Sequence, residues 1–281
     1  MREGLVNIHR FLDHAIKLSL EAGREILKIY NSDIVSSSTK SDSSPLTSAD
    51  LTAHRLLSEG LSSTDLPVLS EEGRDLSFDI RRQWYYLWLI DPLDGTKEFL
   101  NKNGEFTVNI ALIKENSPVI RSNIRTCKNI LYYALKNQGA WKVKGEIKKR
   151  LPEYRRGESE PLVITGSRSH HTEESNKFIE RLKSLYEQIE FVQAGSALKF
   201  CLVAEGVADI YPRFGPTMEW DSAAGQLIVE EAGGKVLDAR NSTPLVYNKK
   251  ILKNPHFVAL NNHRLKEVSW IASIAGSQKT M

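Results

Sequence analysis

The stretch Trp88–Leu100, WLIDPLDGTKEFL, opens as an apolar run and then sets Asp91, Asp94 and Lys97 within seven residues. Apolar residues followed by Asp, Pro and Gly read as a buried strand that leaves the core through a polar turn. Turn chemistry accounts for Pro92 and Gly95 but leaves two closely spaced carboxylates at a strand end unexplained. A second strand ends the same way, since LPVLSEEG (Leu66–Gly73) runs from apolar residues into Glu71 and Glu72. A further acid, Asp221, stands at the start of EWDSAAGQLIVEEAGGKV, which reads as a helix capped by Asp221 and stopped at Gly233-Gly234.

Around these stretches the chain is ordinary for a soluble globular protein. It has 281 residues, 41% hydrophobic and 26% charged. Its 38 basic residues against 35 acidic ones leave a formal charge of +3, too balanced for a nucleic-acid coat but compatible with a local pocket for an anionic small molecule. Cys127 and Cys201 are the two cysteines, which excludes a disulfide framework or a thiolate metal cluster and points to a reducing cytoplasm. The N-terminus lacks the apolar core of a signal peptide, and no apolar run approaches the roughly 18 residues needed to span a bilayer. Membrane contact is therefore expected to be peripheral at most, on the inner face. Nothing in the sequence sets the oligomeric state.

Residues 4 to 30 place Ile8, Phe11, Leu12, Ala15, Ile16, Ala22, Ile26, Leu27 and Tyr30 on one stripe of a long helix. After a Ser-rich loop, TSADLTAHRLLSEGL reads as a second helix with Thr47 or Ser48 as cap and Leu51, Leu56, Leu57 and Leu61 buried. Asp50 then falls in its first turn, where the helix dipole alone explains an acid. FTVNIALI (Phe106–Ile113) alternates as a strand, and GAWKVKG as a later one. The Pro-, Gly- and charge-rich LPEYRRGESEP (Leu151–Pro161) is the candidate boundary between a subdomain over residues 1–155 and one over 156–281. Beyond it, PLVITGS, a helix over 173–187, IEFVQAGS, a helix over 196–205 and ADIYPRF alternate strand with helix, as in an α/β unit.

Glu71, Asp91, Asp94 and Asp221 each fall where a strand ends or a helix begins, the places where α/β proteins build ligand sites. Carboxylates gathered there repel one another and raise one another's pKa unless cations neutralise them. Hard oxygen donors of this kind suit Mg²⁺ alongside a phosphate. The backbone amides of Gly95 and Thr96 are placed to donate to that phosphate, and two metals could activate a water and stabilise a leaving oxygen.

Taken together, SEE, DPLDGT and WDSAAG, in this order and spacing, resemble the lithium-sensitive, magnesium-dependent phosphomonoesterase superfamily of inositol monophosphatase and fructose bisphosphatase. NGEFTVNIALI, SRSH, GSALKFCLVAEG and YPRFGPTMEWDSAAG resemble its bisphosphate nucleotidase branch. The likeness runs from about Ile16 to Phe257. It implies a five-layer αβαβα sandwich with its site in the cleft between the halves. It also implies two or more Mg²⁺ ions held by Glu71, Asp91, the Leu93 carbonyl, Asp94 and Asp221. Thr96 with Glu71 matches the pair that orients and deprotonates the attacking water, and Asp50 matches a second acid beside them. The implied reaction is hydrolysis of the 3'-phosphate of adenosine 3',5'-bisphosphate, the by-product of sulfate assimilation, with no phosphoenzyme. Inositol monophosphatase activity, or a catalytically idle nucleotide-binding regulator, are the competing readings.

The resemblance places the substrate against Leu93, Asp94, Gly95, Thr96 and Asp221, and assigns the nucleotide's second phosphate to the other half. There GSRSHH (166–171) supplies Ser167, Ser169 and His170, QAGSALKF supplies Gly195, Ser196 and Lys199, and YPRFGPT supplies Arg213. Small hydroxyls, glycine amides and cations suit an anion. Each also has a plainer reading, as helix or loop caps for the serines, a solvated chain for Lys199 and a surface position for Arg213. Lys97 reads equally as a solvated charge or a substrate contact.

One segment departs from the family. Where its relatives carry an apolar strand resembling Gly-Val-Ile-Tyr-Ala-Pro, this chain has RSNIRTCKN, Arg121–Asn129. Synonymous codons exist for this segment that, read one base later, encode Gly-Val-Ile-Phe-Ala-Pro-Ala, which points to a compensated frameshift in the gene. The plainer reading is a surface-exposed edge strand that tolerates charge. The stretch after Phe257, ending in SWIASIAGSQKTM, lies past the resemblance and is read as an added helix of unassigned function.

Overall fold

Two periodicities build the molecule. A 3.6-residue stripe drives helices onto sheet faces, and strands with both faces apolar must lie between helical layers. A computed structural model describes residues 7–32, 37–39, 45–155, 157, 160–167 and 172–267. The first part contains α1 (Ile8–Tyr30), β1 (Ser37–Thr39), β2 (Pro45–Thr47), α2 (Ser48–Ser62), β3 (Val68–Ser70), α3 (Phe78–Arg81), β4 (Tyr86–Asp94), α4 (Thr96–Leu100), β5 (Thr107–Lys114), β6 (Ser117–Arg125), β7 (Ile130–Leu135), β8 (Gly139–Lys144) and β9 (Ile147–Arg150). The second contains β10 (Leu162–Gly166), α5 (Glu173–Lys183), β11 (Ile189–Gln193), α6 (Leu198–Glu205), β12 (Ile210–Arg213), α7 (Glu219–Glu231), β13 (Lys235–Asp238) and β14 (Phe257–Leu260).

Among the described residues, β3 to β9 form one seven-stranded sheet in sequence order, and the other large sheet runs β11-β10-β12-β14-β13. β3 is parallel to β4 and the remaining pairs of the first sheet are antiparallel. α1 and α2 cover one face of this sheet through Leu12, Ala15, Ile26, Leu57 and Leu61 against Trp88, Ile90, Ile110 and Ile120. Its other face meets α6 and α7, whose Phe200, Leu227 and Ile228 share a core with Leu87, Leu89 and Val163. α5 covers the outer face of the second sheet with Phe178 and Leu182. The order of layers is α, β, α, β, α, the expected sandwich. One core spans α6, α7 and both sheets, so burial ties the two halves together.

Several expectations are corrected in detail. Leu51, placed in the core by helical spacing, is 50% exposed. FTVNIALI does not alternate, because β5 lies in the middle of a covered sheet and is buried on both faces. The helix expected over 173–187 ends at Lys183 with Ser184 as its cap, and the helix after Gly195 begins at Leu198. Thr47 is the cap of α2. Asp221 is not the N-cap residue of α7, which is Met218, but lies in its first turn, its carboxylate accepting the Met218 N–H at 2.8 Å. Of the C-terminal stretch, Asn262–Glu267 form a 3₁₀ turn, whereas SWIASIAGSQKTM lies outside the described residues. No described helix is long and apolar enough to cross a membrane.

The edge-strand reading fails for Arg121–Arg125, whereas Cys127–Asn129, past the end of β6, are exposed. β6 pairs with β5 on one side and β7 on the other, and Arg121, Ser122 and Asn123 are fully buried. The Arg121 guanidinium donates to Cys201 Sγ at 3.3 Å, while its Nε and one terminal nitrogen find no hydrogen-bond partner.

Candidate active site

β4 pairs with β5 in regular register from Tyr86 opposite Lys114 to Asp91 opposite Asn109, then shifts before Asp94 meets Thr107. Pro92 has no N–H to give the ladder, so the pairing breaks there. The chain turns through Gly95, at φ +95°, a conformation that costs a side-chain-bearing residue free energy. The break falls between the two carboxylates, Asp91 and Asp94. Leu93 N–H donates to Asp91 Oδ1 at 3.1 Å, and the Thr96 hydroxyl lies within reach of the Leu93 carbonyl at 3.3 Å.

The end of β3, the end of β4 and the first turn of α7 bring Glu71, Asp91 and Asp221 together, each with a carboxylate oxygen within 4.8 Å of the others. Asp94 and Asp221 line an adjoining cleft of about 130 Å³ with Gly95, Ser167, Ser196, Lys199 and Arg213. Glu71, Asp91 and Asp221 therefore meet, whereas Asp94 joins Asp221 in the adjoining cleft, which four of the expected anion contacts, Ser167, Ser196, Lys199 and Arg213, also line. Ser169 and His170 lie outside the described residues. Gly195 is not in the lining; its N–H donates to Glu105 at 2.9 Å, and a Cβ there would come within 2.8 Å of the Glu105 carbonyl. It is a glycine for close packing. Lys97 is exposed and away from the cleft lining.

Asp50 serves two elements. Its Oδ2 accepts the Thr47 N–H at 2.7 Å and the Thr47 hydroxyl at 2.6 Å, closing the N-terminus of α2. Its Oδ1 accepts the Thr96 hydroxyl at 3.0 Å. One oxygen thus caps α2 while the other reaches Thr96 at the end of β4.

Lys199 is buried rather than solvated, with Nζ donating to the Ser196 carbonyl at 2.7 Å and the Ala194 carbonyl at 3.3 Å. Burial pushes its pKa down to about 8, against the opposing pull of Asp94. Arg213 is half-buried, donates to the Pro216 carbonyl at 2.9 Å, and keeps a buried Nε without a partner. Sequence reading missed Glu98, Tyr211 and Thr217 in the lining, and Asn109, which donates to Asp94 at 3.1 Å. Asn109 had a signal, an amide in the middle of an apolar strand; the others had none.

The acids resist ionising together. Burial raises Asp91 well above the usual carboxylate range, with Glu71, Asp94 and Asp221 adding to it. Asp221 is pushed up to about 8 by burial, Asp94 and Glu71. Asp94 is raised by burial to about 6, with Lys199, Asn109 and the Ala197 N–H holding it from going higher. An all-oxygen anionic set that keeps protons near neutrality is what a hard divalent cation would discharge, and Mg²⁺ fits this donor chemistry better than Zn²⁺ or Cu²⁺.

The ordinary carboxylate value is near 3.9, so groups raised to about 6 and about 8 support the fold fully below pH 4 and lose that support as pH rises through those values. The metal-free protein should therefore lose melting temperature between pH 5 and pH 8, and the increment from added Mg²⁺ should be several degrees larger at pH 8. Scanning calorimetry at both pH values checks this; equal increments would refute it.

Residues 7–275 match the inositol monophosphatase family, a span that runs past Phe257 and so includes much of the stretch thought to lie beyond the likeness. The chain is 41% identical over 249 residues to the 3'(2'),5'-bisphosphate nucleotidase CysQ of Salmonella typhimurium, covering 88% of this chain and 98% of that one. It is 44% identical over 230 residues to the CysQ of Buchnera aphidicola, covering 81% and 84%. The crystal structure of CysQ from Bacteroides thetaiotaomicron superposes with a TM-score of 0.83 at 41% identity, covering 92% of this chain and 99% of that one. With its five-layer fold and its acids gathered at the strand ends, the chain belongs to the inositol monophosphatase family.

Proposed function

We propose that this protein is a magnesium-dependent phosphomonoesterase that hydrolyses the 3'-phosphate of adenosine 3',5'-bisphosphate, giving AMP and phosphate. The observation that carries the reading is the joining of the acidic cluster to Lys199, Arg213, Ser167 and Ser196 through one cleft. An ester with a single phosphate needs the acids and their cations; a second phosphate gives the buried lysine and the half-buried arginine an anionic partner. The similarity to the CysQ nucleotidases supports the same substrate class. In this reading the protein works in the cytoplasm, in keeping with its two free cysteines, and disposes of a by-product of sulfate assimilation.

Glu71, Asp91, the Leu93 carbonyl, Asp94 and Asp221 would hold the cations. When bound, Mg²⁺ would neutralise phosphate charge and lower the pKa of water. The Thr96 hydroxyl donates its hydrogen bond to Asp50, so its oxygen can accept a hydrogen from a water and turn that water's lone pair toward the phosphorus. Asp50 is fixed by Thr47, which fixes Thr96 in turn. Glu71, at the same corner as Asp91 and Asp221, is the acid placed to take the water's proton. Lys199 and Arg213 bind the distal phosphate.

Two measurements test this. In a phosphate-release panel with Mg²⁺, adenosine 3',5'-bisphosphate should exceed inositol 1-phosphate and fructose 1,6-bisphosphate in kcat/KM by tenfold or more, on the order expected for one charge-assisted contact; preference for the inositol ester would overturn the assignment. Lys199→Met should raise KM for the bisphosphate about tenfold with a smaller change in kcat, because the contact it removes is made equally in ground and transition states.

A further inference from the structure

The polar residues that interrupt β6 lead directly into the active site. Asn123 on β6 lies opposite Asn109 on β5, and both are buried. Asn123 Nδ2 donates to Asn109 Oδ1. The Thr107 hydroxyl lies 3.1 Å from the same oxygen, and is also within 3.3 Å of Ser196 Oγ. An amide carries its acceptor on one side and its donors on the other. Occupying Oδ1 from the β6 side therefore obliges the Asn109 NH₂ to face the other way, where it donates to Asp94 Oδ2 at 3.1 Å. The Ala197 N–H donates to that same oxygen at 2.6 Å. Two donors tie back Oδ2, and Oδ1 is the oxygen left for a ligand in the cleft that Asp94 lines.

We infer that Asn109 and Asn123 are positioning residues for the reaction. Asn123 fixes the amide orientation of Asn109, and Asn109 holds the Asp94 carboxylate with one oxygen presented to Mg²⁺. If the Asn109 amide were flipped, its oxygen would face the carboxylate, and the resulting repulsion would turn Asp94 away. Asn123 is itself held in place on its far side, where its Oδ1 faces Cys201 Sγ at 3.9 Å. The inference rests on the acidic cluster being a Mg²⁺ site, as proposed above.

Mg²⁺ titration calorimetry on the full chain, with thermal unfolding alongside, tests it on Asn123→Val and Asn109→Leu. Loss of a partner that orients a metal ligand commonly weakens metal affinity by about 10- to 100-fold. Asn109→Leu should raise the Mg²⁺ Kd by about tenfold or more. Asn123→Val, which acts through Asn109, should raise it by about three- to tenfold with little loss of melting temperature, because valine suits an interior strand. In both variants kcat should fall while KM for the nucleotide changes little. A Mg²⁺ Kd within twofold of the unmodified protein in folded Asn123→Val overturns the inference, even if Asn109→Leu fails to fold. If the unmodified protein binds no Mg²⁺, the metal-site reading falls and this inference with it; unchanged binding in the variants alone refutes only the latter.

Discussion

Asp94→Asn lowers kcat/KM for the bisphosphate by about a thousandfold, equivalent to about 4 kcal/mol of transition-state stabilisation, while the fold survives. Asn109 Nδ2 and the Ala197 N–H both donate to one Asp94 oxygen, and the amide oxygen of asparagine can accept both. The start of α6 therefore stays anchored. What disappears is the anionic oxygen that would face the cation, and a neutral amide is a poor substitute toward a hard divalent ion. The electrostatics sharpen the test. Burial raises the Asp94 carboxyl to about 6, so above that pH the metal-free wild type carries an unfavourable charge that the variant lacks. In the absence of metal at pH 8, Asp94→Asn should be at least as stable as the parent, and it should gain less melting temperature from Mg²⁺. Turnover near the wild-type value at saturating Mg²⁺ would remove Asp94 from the ligand set.

Arg121→Met raises the melting temperature by several degrees. Arg121 is among the largest fully buried side chains, and two of its nitrogens lack partners. A buried unpaired polar group typically costs about 1–3 kcal/mol, and exchange of a whole buried ion pair for apolar chains of similar volume is often neutral or stabilising by about 1–4 kcal/mol. The usual objection is that removing one charge orphans another, and Glu205 is the acid to consider. It keeps the Tyr132 hydroxyl, at 2.5 Å, and the Lys142 ammonium, at 2.7 Å, without Arg121. Cys201 loses a weak contact to its sulfur, 3.3 Å from the guanidinium. At about 2–4 °C per kcal/mol for a chain of this size class, calorimetry should show a rise of about 3–8 °C. A fall of similar size would mean that Arg121 balances the Glu205 charge and belongs to the fold's electrostatic design.

These two residues mark how far the sequence can be read. Asp94 was legible because DPLDGT combines a strand end, a proline that cannot continue the ladder and a glycine that turns, all local chemistry. Glu71 and Asp221 were legible for the same reason, at the end of one strand and the first turn of one helix. Local patterns also located α1, α2, α7 and the strand carrying Trp88. Arg121 was ambiguous, because an arginine in a strand is acceptable at an edge and costly in the middle, and edge or middle is decided by which strands pair on each side. Leu51 was misplaced for a related reason: helical spacing defines a stripe, but the width of the stripe that is covered depends on what packs there.

The sequence by itself determined which acids stand at strand ends and helix starts, and the order in which strands and helices present them. Tertiary structure alone decided how the carboxylate oxygens are shared among donors. Asp50 divides its oxygens between the cap of α2 and Thr96, and Asp94 gives one oxygen to Asn109 and Ala197. It also turned Lys199 from a solvated charge into a buried one held by two carbonyls. The reason is physical. A carboxylate's reactivity depends on its desolvation and on the donors that reach it, and those donors come from strands and helices far apart in the chain that meet only when the layers close.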